Sequence, residues 1–130
     1  MAKRQGTRTQ RYRSKYEAVV AADLEERGVT FEYEGTKLPY SVPGLYTSDF
    51  RLPHGVIVEC KGYFPAMDRR KILRVIAENP WIDLRLLFQR ASVKLSSRPA
   101  SKTYGQWATH HGIPWAEGTV PPEWILDGTG

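Results

Sequence analysis

Residues 46–61 read Tyr46-Thr47-Ser48-Asp49-Phe50-Arg51-Leu52, then Pro53-His54-Gly55, then Val56-Ile57-Val58-Glu59-Cys60-Lys61. Both arms are rich in β-branched and aromatic residues, and Pro-His-Gly between them is a turn signal, so the stretch reads as a β-hairpin. In the second arm Val56, Val58 and Cys60 share one face, and Ile57, Glu59 and Lys61 share the other. If Leu52 pairs with Val56 across the turn, counting back places Asp49 opposite Glu59. Facing carboxylates repel across a ladder. A bound divalent cation removes that objection and needs such oxygens. Lys61 lies two residues beyond Glu59 on the same face, roughly 6–7 Å further along the strand. Two acids and a lysine at one spot are suited to metal-assisted phosphodiester hydrolysis. The plainer alternative is a solvated strand face, since Glu-x-Lys is a common tripeptide. Against it, the arms are apolar enough for inner strands, where charges are rarely tolerated without partners.

The surrounding chain favours an anionic partner. It has 130 residues, 41% hydrophobic and 12% aromatic, which suits one compact domain with one core. The net charge of +5 points towards nucleic acid, or less often an anionic membrane surface. No apolar run approaches the ~18 residues of a membrane span. The basic N-terminus lacks the apolar segment of a secretory signal. The single cysteine, Cys60, excludes an internal disulfide and a Cys-based zinc site, which fits a reducing, cytoplasmic setting. His54, His110 and His111 have no recognisable metal-ligand spacing.

Residues 1–13 carry Lys3, Arg4, Arg8, Arg11 and Arg13 without an acid, and read as a basic flexible arm. Such an arm either lies along a phosphate backbone or serves as a solubilising tail. Residues 14–130 then form a single domain. Ser14-Lys15-Tyr16-Glu17 is a capping-box pattern opening a helix to about Arg27, with Gly28 as its stop. Glu17 has two readings. Either it bonds back to the Ser14 amide, or, sharing a face with Val20 and Leu24, it aims inward at a site. Val29–Glu34 alternates like a half-buried strand. Pro39 and Pro43 exclude a central strand near 37–45 and make that segment a stiff connector, crossing to another subunit or forming an edge loop.

Beyond the hairpin, Gly62-Tyr63-Phe64-Pro65 is a loop with two aromatics. Asp68 is placed to cap a helix reaching Glu78 that buries Ile72, Leu73, Val75 and Ile76. Arg69, Arg70, Lys71 and Arg74 gather at its start and outer side, as a phosphate contact or a solvated face. Leu84–Phe88 reads as a central strand. Residues 91–102 read as a polar loop carrying Lys94, Arg98 and Lys102. Thr103 caps a short helix to about His111, with Trp107 in the core. Residues 113–115 and 120–125 read as extended pieces with aromatic anchors. The order helix, strand, hairpin, helix, strand, helix gives α/β, a mixed sheet flanked by helices.

That order, with Asp on one arm and Glu-x-Lys on the next, resembles the PD-(D/E)XK nuclease superfamily. The chain most resembles the phage endonuclease I family of Holliday-junction resolvases. The resemblance runs through Phe31-Glu32-Tyr33-Glu34, Tyr46-Thr47-Ser48-Asp49-Phe50, Leu52-Pro53-His54-Gly55 and Val58-Glu59-Cys60-Lys61-Gly62. It continues through Asp68-Arg69-Arg70-Lys71, Thr103-Tyr104-Gly105, His111-Gly112-Ile113 and Pro122-Glu123-Trp124-Ile125. It implies a restriction-endonuclease-like fold in an intertwined homodimer. Asp49 and Glu59 match metal-binding carboxylates, Cys60 a position whose backbone carbonyl also binds metal, Lys61 the active-site lysine, and Glu17 a helix glutamate that completes the site. The implied cofactor is one or two Mg²⁺ per site, with Mn²⁺ able to substitute. The implied partner is branched DNA; by charge alone, the arm, the Arg69–Arg74 cluster, Lys94 and Lys102 are the candidate contacts, or else solvated surface. The implied location is the cytoplasm of a phage-infected bacterium. Ser48 stands where the superfamily has proline. The connector from Pro43 to Thr47 is shorter than is usual in the family, which bears on the subunit crossing, and the family's basic tail does not follow Trp124, which bears on affinity or substrate choice.

Overall fold

Helix α1 (Lys15–Glu26) begins where the capping pattern puts it: Ser14 Oγ accepts the Glu17 N–H at 3.0 Å. It stops before Gly28, whose φ of +71° is the left-handed conformation that glycine adopts without steric cost. Tyr16, Val20, Ala21 and Leu24 line its buried face. The computed structural model describes residues 12–34, 37–39 and 45–126. Phe31 and Tyr33 turn inward as the alternation predicts, but only Glu32–Tyr33 pairs, as strand β1. Glu34, at φ +54°, turns the chain away.

Strands β2 (Lys37–Pro39) and β3 (Leu45–Thr47) form a separate antiparallel pair, with Leu38 opposite Tyr46. The ends of the expected connector therefore pair with each other, while residues 40–44 lie outside the described residues. The first hairpin arm is correspondingly divided. Its start pairs with β2, and only Phe50–Arg51, strand β4, joins the main sheet. The break falls at Ser48-Asp49, where the Asp49 carboxylate bonds to a neighbouring strand. The turn at Pro53–Gly55 is a single 3-10 turn with His54 and Gly55 both at positive φ.

Strand β5 (Val56–Lys61) pairs antiparallel with β4 and parallel with β6 (Asp83–Phe88), so it is interior, as its apolar content requires. Helix α2 (Ala66–Glu78) connects the two. It starts two residues before the expected cap: Pro65 occupies the N-cap position and Asp68 lies in the first turn. Helix α3 (Tyr104–His110) has a complete capping box and leads to β7 (Trp115–Glu117), which adds parallel to β6. Helix α4 (Pro122–Leu126) replaces the extended piece expected at 120–125. Pro122 at its first position has φ preset for a helix, and the turn buries Trp124.

The main sheet has the order β1-β4-β5-β6-β7. One face packs Ile57, Leu84, Leu86 and Phe88 against Ile72 and Val75 of α2 and Trp107 of α3. The other packs Phe50, Val56, Val58 and Leu87 against α1 and Trp124 of α4. The result is a three-layer α/β arrangement in which β5 carries core on both faces, so few positions on it can bear charge. Among the described residues no helix is long and apolar enough to cross a membrane.

Candidate active site

The register of the hairpin follows the sequence reading. Phe50 opposes Val58, Arg51 opposes Ile57, and the Leu52 N–H donates to the Val56 carbonyl at 2.8 Å. One step further along the same count places Asp49 across from Glu59. Both are buried, at 7% and 6% exposure, at the end of β5 away from the turn. Asp49 Oδ2 accepts the Cys60 N–H at 2.9 Å. Its own carbonyl accepts the Glu34 N–H at 2.8 Å. The side chain is thereby held at the break between β3 and β4.

Glu17 reaches the same region from α1, also 7% exposed. Its carboxylate accepts the Tyr33 hydroxyl and the Arg13 N–H, the latter at 3.3 Å. The Tyr33 hydroxyl in turn accepts the Arg13 N–H at 3.0 Å. Tyr33 lies opposite Phe50, beside Asp49, so it ties Glu17 to the strand that carries Asp49. The alternation of residues 29–34 assigns Tyr33 only to the packed face of its strand; its place beside Asp49 emerges from the pairing of β1 with β4.

The charges of these acids act on one another. Burial, followed by the charges of Glu59 and Glu17, pushes the Asp49 carboxyl well above its ordinary value. Burial and the charges of Asp49, Glu59 and Glu17 push the Cys60 thiol up. The Cys60 side chain faces the α1 core. For Lys61, burial alone would lower the ammonium pKa, but Glu59, Asp68 and Asp49 outweigh it and the net shift is upward. Lys61 Nζ lies 3.7 Å from Glu59 Oε2 and 3.1 Å from Asp68 Oδ2. Asp68, read from sequence as a helix cap, is thus an ion-pair partner of the lysine.

The donor set fits a hard divalent cation, because its side-chain ligands are carboxylate oxygens and its surplus negative charge already disfavours ionisation of Asp49. Among the described residues no three such side chains are drawn tightly enough to cage an ion as they stand. Lys61 and Tyr33 instead occupy oxygens of Glu59 and Glu17.

The basic residues named from sequence are more scattered. Arg4, Arg8 and Arg11 lie outside the described residues. Arg13 pairs with Glu34 at 3.3 Å, leaving its side chain largely exposed. Arg69 donates to the Phe64 carbonyl at 2.7 Å, so part of its guanidinium braces the loop after β5. Arg70, Lys71 and Arg74 are exposed on α2. Lys94 Nζ donates to the Pro99 carbonyl at 3.1 Å within its own loop, and Lys102 is exposed nearby.

A mixed sheet with helices on both faces, carrying two buried carboxylates and a lysine at the end of one inner strand, defines an α/β protein with an acidic cluster in its core. The family model for phage endonuclease I matches residues 1–129. The chain is 39% identical over 119 residues to a protein of Escherichia phage T7 named Endonuclease I, covering 89% of this chain and 79% of that protein. It is 37% identical over 118 residues to Endodeoxyribonuclease 1 of Enterobacteria phage T3, covering 88% and 77%. The chain belongs to the phage endonuclease I family.

Proposed function

We propose that the chain is a Mg²⁺-dependent DNA endonuclease that resolves four-way junctions as a homodimer. The observation that carries this reading is the buried Asp49–Glu59 pair with Lys61 beside it, on a chain of the endonuclease family. The relatives' names support DNA cleavage. The choice of a junction rests on the family resemblance.

Asp49, Glu59 and Glu17 would hold the ion, with the Cys60 backbone carbonyl as a further oxygen. When bound, a divalent ion supplies positive charge for the phosphate oxygens, whose charge grows as the P–O bond breaks. Lys61 adds a second positive charge at the same place, and burial away from water strengthens it. Tyr33 keeps Glu17 turned towards the site and away from its own helix cap. Arg70, Lys71 and Arg74, on the helix that follows the site, fix the duplex by its phosphates, which sets position without reading bases.

The dimer belongs to the same proposal. A junction has two-fold symmetry, and a C2 pair of chains presents one site to each of two opposed strands. In such a dimer the connector near 37–45 would exchange its in-chain β2–β3 pairing for a crossing between subunits, and the arm of residues 1–13 would follow the backbone. Both would operate in the cytoplasm of a phage-infected bacterium.

Asp49→Asn, assayed on a four-way junction with Mg²⁺, is expected to bind the junction and fail to cut it. Cleavage at the wild-type rate would refute the assignment. Wild-type rates on a junction and on linear duplex of the same sequence separate junction resolution from nicking or flap cutting. A ratio near one favours the latter.

A further inference from the structure

The Lys61 ammonium is held from two directions. Glu59, two residues back on β5, lies 3.7 Å away, and Asp68, in the first turn of α2, accepts a hydrogen bond from it at 3.1 Å. The side chain is only 17% exposed. Both ends of the link to Asp68 are anchored by backbone contacts. At the end of β5 the Gln89 N–H donates to the Lys61 carbonyl at 3.0 Å. Between Lys61 and α2, Phe64 is fully buried; its N–H donates to the Tyr104 hydroxyl at 3.2 Å and its carbonyl accepts from Arg69 at 2.7 Å. The loop that leads into α2 is therefore fixed relative to Lys61, and it presents the Asp68 carboxylate, itself 35% exposed, to the ammonium.

A lysine is a point charge on a flexible stem and does not by itself stay in one place. Glu59 is a poor sole anchor, because the cation site proposed above needs its oxygens. We propose that Asp68 is a positioning residue that holds the Lys61 ammonium at the acid cluster. This rests on the reading of the site given under Proposed function. Asp68 touches neither the proposed cation ligands Asp49 and Glu17 nor DNA in this scheme; it acts through Lys61.

The test compares Lys61→Ala, Asp68→Asn, Asp68→Glu and the double variant Lys61→Ala/Asp68→Asn in single-turnover cleavage of a four-way junction. Junction Kd without divalent ions and thermal melting are measured alongside. Losing the outer partner of a site residue typically costs about 10–100-fold, and Asp68→Asn is expected to lose that much rate at unchanged Kd. Asp68→Glu should recover part of the rate, and the double variant should be no slower than Lys61→Ala alone, because residues acting as a unit are not additive. If Asp68→Asn melts early, the comparison of Asp68→Glu with wild type carries the same prediction in a folded protein. Wild-type rate in Asp68→Asn, multiplied losses in the double variant, or a loss confined to Kd would overturn the inference while leaving the site reading intact. Full-rate cleavage by Lys61→Ala would overturn the site reading and this inference with it.

Discussion

Two helices in this molecule begin with the same four-residue device and use it differently. At α3, Thr103 Oγ1 accepts the Gln106 N–H at 3.1 Å and the Gln106 side chain accepts the Thr103 N–H at 2.9 Å, so the box closes on itself. At α1, Ser14 Oγ accepts the Glu17 N–H in the same way, but the Glu17 carboxylate turns to Tyr33 and Arg13 and acts electrostatically on Asp49. Gln106 is exposed and Glu17 is buried. A capping pattern fixes where a helix starts. The charge and burial of its fourth residue decide whether that side chain stays local or is taken up by a site.

Changing the chemistry of the fourth residue separates the two helices most strongly. Glu17→Gln keeps the shape and removes the charge, and its cleavage of a four-way junction is expected to fall at least about a hundredfold, beyond the usual cost of an outer-shell change. Gln106→Ala should cut at the wild-type rate. Equal activity in both variants would erase the distinction. A smaller effect appears in stability against pH. Asp49's folded pKa is raised above its ordinary value of 3.8, so its contribution is fully present below that value and is lost as pH rises through the folded pKa. The metal-free protein should therefore melt at a lower temperature at pH 8 than at pH 5, with a flatter profile in Glu17→Gln, which removes one of the charges responsible. The smallest effect lies in the half of the device that the two helices share. Ser14→Ala and Thr103→Ala should each cost about 1 kcal/mol in urea unfolding, with no preference for either helix.

Much of this arrangement was legible in the residues. Alternation in 56–61 gave β5 and its two faces, and the turn signal at Pro53-His54-Gly55 gave the register that sets Asp49 across from Glu59. The apolar run 84–88 gave β6 its central place. What failed were features decided by distant contacts. Residues 46–52 read as one arm because propensity is continuous there, yet burial of Ser48 and the Asp49–Cys60 bond divide it. Asp68 read as a cap because an acid near a helix start commonly is one, and nothing local shows that Lys61 folds back to meet it. Val120–Ile125 read as extended because of its prolines, although Pro122 at a first helical position favours the short helix that seats Trp124. Ser48 places a buried hydroxyl that finds no hydrogen-bond partner among the described residues.

The proposed function requires Asp49, Glu59 and Glu17 to share one cation site next to Lys61. Anomalous diffraction from crystals soaked in Mn²⁺ tests it without relying on activity. A Mn²⁺ peak bonded to the Asp49 and Glu59 carboxylates, with Glu17 at the same centre, is the expected result. Well-ordered crystals with Mn²⁺ bound elsewhere and those carboxylates bare would contradict it.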